Sequence, residues 1–170
     1  MKVAVKDANV LIDLVEGDLL GLWFRLGIET YVPDLVLDEI KHPNHRRMVL
    51  AMVEAGNLRV GTFSPAELSQ VDSYKQRYRI SLADASAILL AEQMQATLLS
   101  GDKLVRKGGL SLDLKVRGLL WVFDELVLRE LLGAADAAVR LERVVDAGAH
   151  LPAEQVQGKR AVNPMVPNLF

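Results

Sequence analysis

Four acidic residues lie at the ends of apolar runs, or at the start of the helix that follows one. They are Asp7, Glu39, Asp84 and Asp102. In a chain that alternates strands and helices, acids at these positions converge at one edge of a parallel sheet, where ligands bind. Four carboxylates gathered there would repel one another unless a cation lay among them. Oxygen ligands favour Mg²⁺ or Mn²⁺ over zinc, so the pattern indicates metal-assisted phosphoryl chemistry, with a nuclease as the leading case.

Each acid also has an ordinary structural explanation. Asp7 and Asp102 could cap the helices that follow them, and Asp84 could simply favour a helix N-terminus. Glu39 could be a solvated side chain, like its neighbour Asp38. Four such acids in order, each in the same kind of position, make a shared site the better interpretation.

Polar and basic residues near these acids are the next candidates. Asn9 is expected to position the site, and Ser100 to support Asp102 by hydrogen bonding. Lysines and arginines flank the acids, as expected if a polyanion is held on either side of an acidic centre, although solvated helix faces would look the same. The candidate polyanion contacts are Arg46, Arg47, Lys103, Arg106 and Lys107, and a further basic group, Lys75, Arg77 and Arg79, precedes Asp84.

Apolar periodicity and capping signals predict the order of elements that must position these residues. Strands alternate with helices, which indicates an α/β fold with a central parallel sheet. Ser64 and Ser81 are predicted helix N-caps, the first within a capping box. Asp18 is predicted to cap a helix, and Pro43 to end one. The predicted strands cover residues 2–5, 29–32, 58–62, 96–99 and 114–117.

Composition narrows the class of protein. A chain of 170 residues with 51% hydrophobic residues is expected to form one domain with a sizeable core, here residues 1–157. The segment 158–170 has no helical or strand period and is predicted to be a C-terminal tail or arm.

The absence of cysteine excludes disulfides, thiolate metal sites and a cysteine nucleophile, and agrees with a cytoplasmic location. Neither a signal peptide nor a membrane span is predicted.

The four acidic segments together resemble the motifs of a PIN domain, the metal-dependent ribonuclease fold of VapC-type toxins and related RNA-processing enzymes. The segments are VKDANVLIDL, LVLDEI, ISLADASAILLAE and LLSGDKLV, and the likeness covers about residues 1–125. It implies a three-layer α/β/α fold with the acids grouped at one sheet edge. It also implies that Asp7, Asp84 and Asp102 hold Mg²⁺ or Mn²⁺, with Glu39 bound directly or through water.

The same resemblance implies an endoribonuclease that cleaves RNA phosphodiesters with metal-activated water, and that the basic residues above contact RNA. Two roles stay open, namely the toxin of a toxin–antitoxin pair, with an antitoxin protein as partner, and an RNA-processing enzyme. A homodimer is also predicted, because more apolar residues occupy the C-terminal helices than one helix face can bury.

Three other classes of protein are alternatives to a ribonuclease. A Mg²⁺-dependent phosphatase or phosphotransfer domain would carry an Asp-x-Asp nucleophile, whereas this chain has Asp7-Ala8-Asn9. A receiver-like signalling domain would carry an early pair of acids, which is missing. A non-catalytic PIN-like module that binds RNA or protein is the third alternative, and the complete set of acids argues against it.

Overall fold

The computed structural model describes residues 2–5, 8–149 and 151, and within them the chain forms five strands and nine helices. The strands are β1 (Lys2–Val5), β2 (Glu29–Pro33), β3 (Leu58–Gly61), β4 (Thr97–Leu99) and β5 (Val116–Arg117). The helices are α1 (Ala8–Glu16), α2 (Leu20–Arg25), α3 (Asp34–Leu37), α4 (Pro43–Glu54), α5 (Pro65–Tyr78), α6 (Leu82–Met94), α7 (Lys103–Ser111), α8 (Leu119–Leu128) and α9 (Ala134–Asp146). None of the helices in these ranges is long and apolar enough to cross a membrane.

All strand pairs in the sheet are parallel, and the strand order is β3-β2-β1-β4-β5. Val5 of β1 pairs with Leu99 of β4, and Leu99 pairs in turn with Arg117 of β5. On the other side of β1, Ala4 pairs with Tyr31 of β2. The strands therefore finish at the same end, which is called the carboxyl end of the sheet below.

Helices cover both faces of the sheet, and a separate hydrophobic core lies on each. Successive strand residues point to opposite faces, so Leu98 belongs to one core and Leu99 to the other. The first core contains buried residues of α1, α2, α4, α8 and α9, and the second is formed by α5, α6 and α7. The arrangement confirms the predicted three-layer α/β/α fold with a central parallel sheet.

Helix α6 is central to the second layer. It contacts β1, β2 and β4 as well as α3, α5 and α7. Small side chains allow the close approach, because Ala85, Ser86, Ala87 and Ala91 are all completely buried. The hydroxyl of Ser86 donates to the carbonyl of Ala83, so this buried polar group is satisfied within its own helix.

Two predictions about helix boundaries are wrong. Pro43 does not end a helix but is the first residue of α4, where a missing N–H costs nothing and the fixed φ suits the helix. Asp18 does not cap α2, whose N-cap is Leu19. Asp18 instead has a φ of 52° in the preceding turn, and its carboxylate accepts a hydrogen bond from Arg140 at 2.9 Å. The predicted tail 158–170 lies outside the described residues.

Candidate active site

Asp102 is placed by the turn between β4 and α7, just past the carboxyl end of the sheet. It is the N-cap of α7, and its Oδ1 accepts the backbone N–H groups of Leu104 at 2.8 Å and Val105 at 3.0 Å. Ser100 is fully buried, and its hydroxyl accepts the backbone N–H of Asp102 at 3.1 Å. The hydroxyl of Ser100 therefore holds the backbone of this turn. Both helix bonds use one carboxylate oxygen, which leaves Oδ2 of Asp102 without a hydrogen bond among the described residues.

Asp84 is the third residue of α6 and belongs to a capping box. Its backbone N–H donates to the hydroxyl of Ser81 at 3.0 Å, and its Oδ2 accepts the backbone N–H of Ser81 at 3.4 Å. The side chain is half-buried. The sequence predicted Ser81 as the N-cap, and the structure confirms it, with Asp84 completing the box.

Of the other predicted site residues, Glu39 and Asn9 are among the described residues and Asp7 is not. Glu39 is exposed in the turn after α3, the short helix that follows the carboxyl end of β2, and its backbone N–H donates to Val36. Asn9 is exposed in the first turn of α1. Asp7 lies outside the described residues, between the end of β1 and the start of α1.

The donor set fits a hard divalent cation by its chemistry, because Glu39, Asp84 and Asp102 offer only oxygen ligands. Within residues 8–149, however, no group of three or more histidine, cysteine, aspartate or glutamate side chains is arranged to hold a metal ion. The described acids alone therefore do not form a metal centre. A shared site needs Asp7 and stays a prediction.

The predicted basic groups on α4 and α7 differ in what their arginines contact. In the group on α4, Arg46 donates to the carbonyl of Leu37 at 2.7 Å and lies 3.8 Å from the carboxylate of Asp38. Arg47 donates to the side chain of Asn44 at 2.8 Å. The contacts of Arg46 bind α4 to the end of α3, whereas the bond of Arg47 lies within the first turns of α4.

In the group on α7, Arg106 donates to the carbonyl of Ser100 at 3.0 Å. This contact fixes its guanidinium beside the turn that carries Asp102, a role that no sequence signal indicated. Lys103 and Lys107 are exposed. They have no ion pair among the described residues.

Comparison with known proteins gives both sequence and structural matches. The family model described as "DUF3368: PIN domain" matches residues 3–160. The crystal structure of PAE2754 from Pyrobaculum aerophilum superposes with a TM-score of 0.50 at 14% identity, covering 75% of this chain and 99% of that one. The crystal structure of FitAcB from Neisseria gonorrhoeae gives a TM-score of 0.40 at 18% identity, covering 68% of this chain and 96% of that one.

No curated protein matches the chain. The structural likeness to PAE2754 supports the fold alone, because the identity is low. The family model carries the assignment, since it spans almost the whole of the described chain. PIN domains are generally nucleases that use divalent metal ions. The chain belongs to the PIN-domain family.

Proposed function

We propose that this protein is a Mg²⁺- or Mn²⁺-dependent endoribonuclease whose site is formed by Asp7, Glu39, Asp84 and Asp102. The observation that carries the proposal is the pairing of Val5 with Leu99 at the carboxyl ends of two adjacent parallel strands. Asp7 follows Val5 by two residues, and Asp102 follows Leu99 by three. Carboxylates that follow neighbouring parallel strands lie in the crevice where α/β proteins bind their ligands.

The connections of α6 support including Asp84. Only Gln95 and Ala96 separate α6 from β4, so the C-terminus of α6 lies at the amino end of that strand. A helix of 13 residues that packs back along the sheet brings its first turn towards the carboxyl end. Contact between α6 and α3 agrees with this direction, because α3 follows the carboxyl end of β2. The same contact supports Glu39, which lies just after α3.

When bound, a divalent cation supplies Lewis-acid polarisation of the phosphodiester and activation of water. The contribution of the chain is to hold and orient the groups around it. Asp102 is fixed by its two helix N–H donors and by Ser100, and Asp84 by its capping box with Ser81. These bonds set the direction of each carboxylate before any ligand arrives, which limits the reorganisation needed for reaction. Asn9 is assigned to positioning the site.

The family resemblance supports RNA as the substrate, and the absence of cysteine agrees with the cytoplasm as the location. It also supports the role of toxin in a toxin–antitoxin pair, with an antitoxin peptide as partner. A neighbouring gene for a small antitoxin, and co-purification of its product with this chain, would support that role. Growth that is unaffected when the chain is expressed alone would count against it.

The catalytic proposal is tested by Asp7→Asn and Asp102→Asn, with Asp136→Asn as the matched control. Asp136 carries the same charge and lies in the first turn of α9, one turn before Arg140, which contacts Gly17 just after the C-terminal end of α1. The first two variants should abolish Mg²⁺- or Mn²⁺-dependent cleavage of single-stranded RNA, while the control cleaves like the wild type. Their free energy of unfolding should be unchanged or slightly raised, since one source of like-charge repulsion is gone. Full cleavage by either purified site variant would overturn the mechanism.

A further inference from the structure

Five exposed basic residues lie on two elements of the second helical layer. They are Lys75, Arg77 and Arg79 at the C-terminal end of α5, and Lys103 and Lys107 on α7. We call this set the α5–α7 basic face. It is on the side of the sheet opposite to α4, where Arg46 and Arg47 lie.

Tyr78 joins the two halves of the face. Its hydroxyl accepts a hydrogen bond from Ser111 of α7 at 3.1 Å. Its ring packs so closely on Gly108 that a Cβ atom there would lie 3.1 Å from the ring. The guanidinium of Arg77 sits over the same ring, 5.3 Å from its centroid. On α7, Lys107 is one turn before Ser111, so Lys107 lies next to the end of α5.

Both ends of the α5–α7 basic face lie close in sequence to candidate site residues. Lys103 directly follows Asp102 in the sequence, and Lys107 is one turn further along the same helix face. At the other end, Arg79 is the C-cap of α5 and is separated from the capping box of Ser81 and Asp84 by a single residue. The basic face therefore runs from the helix start that holds Asp84 to the helix start that holds Asp102.

Ion pairs do not account for the charges of the face. None of the five residues is ion-paired with a carboxylate in the part of the chain that the structure describes. Lys75 and Arg77 favour the negative end of the α5 dipole, but Lys103 is at the positive end of α7, where a cation is unfavourable. Arg46 differs, because its hydrogen bond to Leu37 gives it a structural role.

We infer that the α5–α7 basic face binds the phosphates of a single-stranded RNA segment on one side of the cleavage point. The inference rests on the proposed function for the identity of the nucleic acid. It places the RNA over α5 and α7 on one side of the sheet, and not over α4 on the other side. Exposed lysines and arginines without carboxylate partners supply the electrostatic contacts that single strands require.

The test compares two double variants that remove the same charge. Lys103→Ala with Lys107→Ala removes two residues of the face. Arg25→Ala with Lys115→Ala is the control, because Arg25 lies at the amino end of the sheet, next to β2. Lys115 precedes Val116, whose side chain packs on Gly109 of α7, so the strand pleat directs Lys115 away from the face.

Binding of fluorescein-labelled oligouridine is measured by anisotropy over a range of salt concentrations in EDTA, which prevents metal-dependent cleavage. The slope of log affinity against log salt should become shallower by about 1.4 when two phosphate contacts to a single strand are lost. If the plots of log affinity against log salt for the wild type and the double variant converge near about 1 M salt, the double variant binds roughly 25-fold more weakly at about 0.1 M. The control should keep the slope of the wild type.

An unchanged slope in Lys103→Ala with Lys107→Ala, an equal change in the control, or no binding of oligouridine by the wild type would each overturn the inference. A change of molar mass in light scattering with unaltered RNA affinity would assign the face to a protein contact and overturn it too. Failure of the proposed function looks different, because wild-type protein would then bind RNA with the predicted slope and not cleave it. Thermal unfolding of both double variants checks that they are folded.

Discussion

The carboxylate of Asp84 and the backbone N–H of Ser81 lie within hydrogen-bond distance of each other, at 3.4 Å, and close the capping box at the start of α6. The reciprocal bond, from the N–H of Asp84 to the hydroxyl of Ser81, is shorter at 3.0 Å. The carboxylate that we assign to the metal site is thus also part of a helix cap. Its two roles can be separated, because the shorter bond of the box needs the side chain of Ser81 and not that of Asp84.

Ser81→Ala should therefore change mainly the stability of the protein, and Asp84→Asn mainly its cleavage activity. Ser81→Ala removes the cap acceptor and should lower the free energy of unfolding by about 1 kcal/mol while cleavage is largely kept. Asp84→Asn keeps an oxygen that can accept from Ser81, so stability should change little, while metal-dependent cleavage is lost. Chemical denaturation and a cleavage assay on both variants measure the difference. If Asp84→Asn cleaves normally and is strongly destabilised, Asp84 is only a capping residue.

The elements of the fold that depend on local sequence signals are predicted well from the sequence. The capping box at Ser64 and the N-cap at Ser81 are examples, since serine is a preferred residue at the start of a helix. The parallel sheet also follows from the alternation of short apolar runs and helices. Of the candidate site, the position of Asp102 and its support by Ser100 follow from the turn after an apolar strand.

Features that depend on where a neighbouring helix ends, or on packing between distant segments, were not predicted. Proline can end a helix or begin one. Because α3 already ends at Leu37, Pro43 begins α4. Asp18 is held by Arg140, which is 122 residues away. The contact of Tyr78 with Gly108, which joins the two halves of the basic face, likewise has no signal in either local segment.

Glu67 should make stability depend on pH in the acid range. Hydrogen bonds from the backbone and side chain of Ser64, and then from Gln93, hold the pKa of the Glu67 carboxyl below its ordinary value of 4.5. Because the pKa is lowered in the folded state, the contribution is fully present above the ordinary pKa and is lost as the pH falls through the folded value. The difference in Tm between wild type and Glu67→Gln should shrink as the pH falls from about 7 to about 3. A constant difference over this range would show that the charge of Glu67 is not involved.

The buried hydrogen bond between Trp23 and Thr30 should be important for the first core. The indole Nε1 of Trp23 donates to Oγ1 of Thr30 at 2.9 Å, and both side chains are almost completely buried. Thr30→Val keeps the shape but leaves the indole N–H without a partner, which should cost about 1–3 kcal/mol. The same substitution should cost less in a Trp23→Phe background, where no N–H needs a partner. Equal costs in the two backgrounds, measured by urea denaturation, would exclude this bond as the cause.

The last prediction concerns assembly. The sequence predicted a homodimer because α8 and the residues after it carry many large apolar side chains, and the structure buries most of them within one domain, against α9 among other elements. Leu128 and Val139 remain 64% and 59% exposed on these two contacting helices. An interface between two copies would therefore use the outer surface of α8 and α9. The wild type should then have twice the 18.7 kDa mass of one chain in light scattering at micromolar concentration.

Leu128→Ser with Val139→Ser should give the monomer mass, because polar side chains weaken an apolar interface. Leu68→Ser is the control, since Leu68 is an exposed leucine on α5, in the other helical layer. A monomer mass for the wild type at every concentration would refute the dimer. A dimer that persists in the double variant and dissociates in Leu68→Ser would move the interface to the layer that carries the α5–α7 basic face, where it would compete with RNA.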